Sequence, residues 1–268
     1  MNNYEKLEGM VAATFTPLDE NGDVNLSVID KYADWIASTP IKGVFVCGTT
    51  GEFSSLTIDE RKLILEKWLV SARKRFKVIA HVGSNCQRSA MELARHAAQV
   101  GADAIASIAP SFFKPGTVDE LVDFFAPICH SAAGLPFYYY NMPSITGVNL
   151  PVDKFLVEGK KKIPNLVGTK FTHNNLMEMG VCIELEQHRF EVLHGYDEIL
   201  ISGLAMGAVA GVGSTYNYIP NVYQAIFDSM KMNDLETARH NQIKSIRTVE
   251  VIIKYGGGVR GGKAIMKL

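Results

Sequence analysis

Eight short runs rich in apolar and β-branched residues recur along the chain, each followed by a longer segment of helical period. The runs are MVAATFT (10–16), GVFVCG (43–48), KVIAHVG (77–83), DAIASIA (103–109), PFYYYN (136–141), NLVGTKF (165–171), FEVLHG (190–195) and AVAGVGS (208–214). Most are apolar at consecutive positions, the pattern of strands buried on both faces. The intervening segments repeat every three to four residues, as where Ile29, Tyr32, Ala33 and Ile36 mark one helical face. Two of them open with the Thr-x-x-Glu of a capping box, Thr57 to Glu60 and Thr117 to Glu120. Strands and helices in alternation make a parallel sheet covered by helices. Eight such units in 268 residues match a (β/α)8 TIM barrel, and a doubly wound open sheet is the competing architecture.

The eighth helical segment, YIPNVYQAIFDSM, ends near residue 232, and a further helix follows in NDLETARHNQIKSIRTVEVIIKYGGG. The expected division is therefore a barrel over 1–232 and a short C-terminal helical extension over 233–268. The stretch GGVRGGKA (257–264) approaches a phosphate-binding loop, but Ala264 replaces the Ser or Thr that would reach magnesium. It reads as a helix-breaking loop.

A net charge of −1 gives no general attraction to nucleic acid or anionic lipid. No apolar run approaches the roughly 20 residues of a membrane span, and the start, MNNYEKLEGM, has no signal-peptide core. Four scattered cysteines without a CxxC pair argue against a disulfide framework or structural zinc, and a cytoplasmic setting is expected. The seven histidines form no HxH or HxxxH pair, so a zinc-dependent reaction has little support.

In a barrel, catalytic groups come from the C-terminal ends of the strands. The second run is followed by Gly48-Thr49-Thr50-Gly51-Glu52, hydroxyls and backbone N–H groups between glycines, which suit a small anion or a plain capped turn. In the fifth, alternation sends Tyr138 and Tyr140 to one face and Tyr139 to the other. Tyr140, beside the Met142-Pro143 turn, is placed to move a proton. The sixth carries Lys170 among apolar neighbours. Either this lysine reaches past the rim to solvent, or it is buried, where the uncharged amine that attacks carbonyls is favoured. After the seventh come Gly195, Asp197 and Glu198, and after the eighth a hydroxyl cluster that includes Ser214.

The segments GTTGE, YYYNMP, GTK, GYDE and GSTYN, in this order and spacing, resemble the N-acetylneuraminate lyase and dihydrodipicolinate synthase family, from about Gly9 onward. The resemblance implies a class I aldolase on a (β/α)8 barrel, a homotetramer, and no metal or dissociable cofactor beyond a covalent Schiff base on Lys170. It implies that Thr49 and Thr50 hold a substrate carboxylate with Ala13 nearby. It further implies that Tyr140 relays a proton and that Thr172, Gly195, Asp197, Glu198 and Ser214 bind a sugar chain. GYDE with GSTYN is similar to the lyase branch, whose substrate is N-acetylneuraminate (sialic acid) and whose products are pyruvate and N-acetylmannosamine. The synthase branch usually carries an arginine where this chain has Ile145. A synthase-like or other pyruvate-dependent aldolase, or a non-catalytic sialic acid-binding barrel, are the alternatives. Two departures stand out: Phe112 and Phe113 replace a tyrosine pair found in some members, and the resemblance implies more helical residues than 233–268 supply, as though truncated.

Overall fold

The computed structural model describes residues 4–267. Its strands are Gly9–Ala13 (β1), Gly43–Val46 (β2), Lys77–His81 (β3), Ala104–Ile108 (β4), Phe137–Asn141 (β5), Leu166–Phe171 (β6), Glu191–His194 (β7) and Ala210–Gly213 (β8). All pair in parallel in chain order and β8 closes on β1, so the sheet is a barrel and not an open doubly wound sheet. Each of the eight apolar runs overlaps one strand. The first strand ends at Ala13, although the Thr14 N–H still donates to the Phe45 carbonyl of β2 (3.2 Å), and the Thr16 hydroxyl donates to the Gly51 carbonyl (2.7 Å).

The outer layer consists of Val28–Ala37 (α1), Ile58–Ala72 (α2), Gln87–Val100 (α3), Val118–Ser131 (α4), the single turn Pro143–Thr146 (α5), Val152–Lys162 (α6), Leu176–Glu184 (α7), Leu200–Ala205 (α8) and Pro220–Lys231 (α9). Helix α1 buries Ile29, Tyr32, Ala33 and Ile36, as its period predicts. Thr57 and Glu60 form a full capping box on α2. On α4 only the Thr117 half forms, since the Glu120 carboxylate accepts instead from the Gly116 N–H (2.6 Å). Among the described residues no helix is long and apolar enough to cross a membrane.

Alternation along the strands divides the apolar residues between two cores. Tyr139 points outward and packs on Phe155 and Phe125, with ring centroids 4.6 and 5.5 Å away. Tyr138 and Tyr140 point inward, with Val11, Phe45, Ile79, Ile108, Leu193 and Val212. The inner core ends in a polar floor: Tyr138 donates to the Glu191 carboxylate (3.0 Å), which also accepts the Leu7 N–H (2.9 Å), and Tyr4 bonds Tyr138 from below. Burial raises the Glu191 pKa, and these donors satisfy a carboxylate that would otherwise be costly to bury.

Two more helices follow, Leu235–Lys254 (α10) and Gly258–Met266 (α11). GGVRGGKA is therefore helical from Gly258 rather than a loop. The break is confined to Tyr255, Gly256 and Gly257, the two glycines at positive φ (97° and 92°). The glycines within α11 permit close approach: a side-chain carbon on Gly262 would strike the Phe15 ring, and one on Gly261 would strike Ile252. Tertiary packing here overrides the low helix propensity of glycine.

Candidate active site

Lys170 and Tyr140 are register partners on β6 and β5, so their side chains enter the barrel mouth side by side. Lys170 is only 4% exposed, which excludes a lysine reaching past the rim. Its Nζ lies 3.9 Å from the Tyr140 ring centroid and 4.6 Å from that of Phe45. These aromatic faces, rather than a carboxylate, are its immediate surroundings, and they attract a cation without neutralising it. The Tyr140 hydroxyl donates to Met142 Sδ (3.1 Å) and lies 3.2 Å from Thr49 Oγ1. Lysine amine, phenol and threonine hydroxyl thus form one continuous group.

Thr49 and Thr50 occupy a loop after β2 that is bent by left-handed Cys47 (φ 54°) and Glu52 (φ 57°). Non-glycine residues adopt this conformation only where their surroundings hold it, and the holding groups are visible. The Cys47 carbonyl accepts from His81 Nδ1 (2.8 Å), while His81 Nε2 accepts the Ile108 N–H (3.3 Å). That pairing needs a neutral ring protonated on Nδ1. Burial, aided by the nearby Arg61 charge, accordingly holds the His81 pKa well below the ordinary histidine value. Arg61 in turn donates to the carbonyls of His81 (2.7 Å) and Gly83 (2.9 Å), and burial lowers its pKa to about 10. Among the described residues the backbone N–H groups of Thr49 and Thr50 have no hydrogen-bond partner, which leaves both free for an anion.

Opposite this loop, Thr172 follows β6 with its hydroxyl buried and unpartnered. A buried hydroxyl without a partner costs about 1–3 kcal/mol, a cost a bound hydroxyl would remove. Gly195 faces it so closely that any side chain there would overlap the Thr172 hydroxyl. Asp197 is buried, and one carboxylate oxygen accepts both the N–H (2.8 Å) and the hydroxyl (2.6 Å) of Thr215. Burial raises its pKa to about 6 against the lowering by these bonds. Behind it, Tyr223 bonds Thr215 and the Ser245 hydroxyl (2.7 Å), and the Asp197 carbonyl accepts from Gln242 Nε2 (3.0 Å) and Ser245 (3.3 Å). Helix α10 therefore braces this loop directly.

All ten residues singled out from the sequence stand at the C-terminal ends of strands or just beyond. Ala13 closes β1, and Gly195, Thr172 and Ser214 each directly follow a strand. Glu198, Ser214 and Thr50 are half-buried at the same rim, and among the described residues their side chains bond to none of the others. Several residues that matter here were not singled out. Phe45 and His81 were findable as inward positions of their strands, and Thr215 as the hydroxyl after Ser214; the Met142 contact carries no sequence signal. Asn217 of GSTYN is structural, donating to the carbonyls of Ala13 (2.8 Å) and Ser214 (2.7 Å) and tying β1 to β8. Phe112 and Phe113 are 78% and 86% exposed and stack edge to face beyond β4.

Comparison with known proteins places this geometry in context. Residues 6–268 match the family model described as the dihydrodipicolinate synthetase family. N-acetylneuraminate lyase of Mus musculus is 43% identical over 267 residues, which is 98% of this chain and 83% of that protein. Among solved structures, N-acetylneuraminate lyase of Proteus mirabilis superimposes with a TM-score of 0.95 at 36% identity, covering 98% of this chain and 88% of that one. The sialic acid aldolase of Aliivibrio salmonicida does so with a TM-score of 0.95 at 38% identity, covering 98% and 87%.

Proposed function

The chain belongs to the dihydrodipicolinate synthetase family, and on that premise we propose that it is a class I aldolase that reversibly cleaves N-acetylneuraminate to pyruvate and N-acetylmannosamine. The observation that carries this reading is a buried lysine in register with a tyrosine whose hydroxyl reaches the Thr49 loop. The lyase relatives named above support the substrate, as does Ile145 where a synthase-type arginine would stand.

In this reading, the Lys170 amine attacks the C2 ketone of open-chain N-acetylneuraminate and water leaves, giving a protonated imine. Thr49, Thr50 and their N–H groups hold the C1 carboxylate beside Ala13. The C4 hydroxyl gives its proton to the Tyr140 relay as the C3–C4 bond breaks. The bonding pair flows into the imine, so an enamine forms instead of an unstabilised carbanion. The aldehyde product departs, C3 takes a proton, and water releases pyruvate from Lys170. Thr172, Gly195, Asp197, Glu198 and Ser214 bind the hydroxyl chain, and the chemistry calls for no metal or dissociable cofactor. A cytoplasmic homotetramer belongs to the same proposal.

The test compares pyruvate release from N-acetylneuraminate with condensation of pyruvate and aspartate semialdehyde. Release should dominate by orders of magnitude, and preferred condensation would move the protein to the synthase branch.

Asp197 adds a pH dependence. Its raised value of about 6 means that the carboxylate, the form that accepts sugar hydroxyls, is present above pH 6 and lost below it. KM for N-acetylneuraminate is expected to rise about tenfold for each unit below pH 6. Pyruvate binding should stay flat there, and Asp197→Asn should abolish the trend. A KM that is level from pH 7 to 5 would remove Asp197 from sugar binding.

A further inference from the structure

Glu52 poses a problem for an anion site. It lies two residues beyond Thr50, its backbone N–H donates to the Thr49 carbonyl (3.0 Å), and one oxygen of its carboxylate is buried. A fixed negative charge at that place works against a second anion in the same loop. The cation that offsets it comes from the far end of the chain: Lys263 of α11 forms a partly buried ion pair with Glu52. Helix α11 is held there by Gly262 on Phe15, which lies two residues past Ala13, in the segment whose Thr16 hydroxyl donates to the Gly51 carbonyl of the same loop (2.7 Å).

We propose that Lys263 sets the affinity of the Thr49–Thr50 loop for the carboxylate of the keto acid by cancelling the charge of Glu52. It never touches the substrate. This inference rests on the loop being a carboxylate site. The glycines around Lys263, which in sequence suggest a phosphate loop, instead let a helix carry this cation up to Glu52.

The experiment is borohydride trapping of pyruvate on Lys170, with the pyruvate concentration giving half-maximal adduct read by intact mass. It isolates carboxylate binding from every step on the sugar. Lys263→Met is expected to raise that concentration about tenfold, the effect of one uncompensated nearby charge, and Lys263→Arg should stay within about twofold of the parent. The deciding variant is Lys263→Met with Glu52→Gln. Removing the stranded charge should return half-saturation to within about twofold of the parent. If Lys263 only docks α11, the double variant stays as weak as Lys263→Met, and the proposal falls. It falls equally if Lys263→Met binds as the parent does.

Should Lys263→Met fail to fold, Glu52→Gln alone decides. It keeps the glycine contacts of α11 and leaves Lys263 unopposed, so half-saturation should drop several-fold; a rise or no change would overturn the proposal. Absence of any adduct in the parent protein would instead refute the aldolase reading, so the two failures are distinguishable.

Discussion

Lys170→Ala is expected to abolish turnover and, in the same protein, the borohydride-trapped pyruvyl adduct. The imine is the electron sink of the proposed reaction, and no second group in the mouth can replace it, so kcat should fall by about a thousandfold or more. The fold should survive. The lysine contributes its stem and a contact with the Tyr140 and Phe45 faces rather than an ion pair, so alanine leaves no stranded opposite charge. Far-ultraviolet circular dichroism alongside intact mass would check both halves of the expectation. Residual turnover within tenfold of the parent, or an undiminished adduct on another lysine, would refute Lys170 as the nucleophile. A parent protein without adduct whose activity a chelator removes would refute the imine mechanism itself.

Tyr140→Phe separates the two catalytic jobs. Phenylalanine keeps the ring that sits 3.9 Å from Lys170 Nζ, so imine formation with pyruvate should persist. It removes only the hydroxyl beside Thr49 and Met142. Carbon–carbon cleavage then lacks its proton relay, and kcat should fall by about 10²–10⁴-fold, the usual range for a lost acid–base group. Undiminished trapping with collapsed cleavage is the signature. A kcat within tenfold of the parent would move the relay to another group, and loss of trapping would show that Tyr140 positions the lysine instead.

The barrel was legible because its strands are apolar on both faces, and because Lys170 is conspicuous where a charge is costly. Tyr140 was legible from alternation and from its place at a strand end. What escaped has no local pattern. His81 holding the Cys47 carbonyl, Thr215 holding Asp197 and Lys263 answering Glu52 are each matters of three-dimensional proximity. Their partners lie too far along the chain for any periodicity to register. The glycine-rich 256–263 stretch misleads for a related reason: glycine ordinarily ends a helix, and only the Phe15 and Ile252 surfaces explain why α11 continues.

The bracing of the mouth by α10 and α11 bears on the order in which the molecule can be completed during its own synthesis. Chains emerge from the ribosome N-terminus first and fold as they go. Lys170 and Tyr140 have been made once β6 is out, well before the barrel can close with β8. The groups that steady the two sides of the mouth, Gln242 and Ser245 behind Asp197 and Lys263 beside Glu52, all lie after β8 and appear later still. A nascent chain that already carries Lys170 and Tyr140 therefore lacks the braces behind Asp197 and Glu52 until α10 and α11 have emerged and docked.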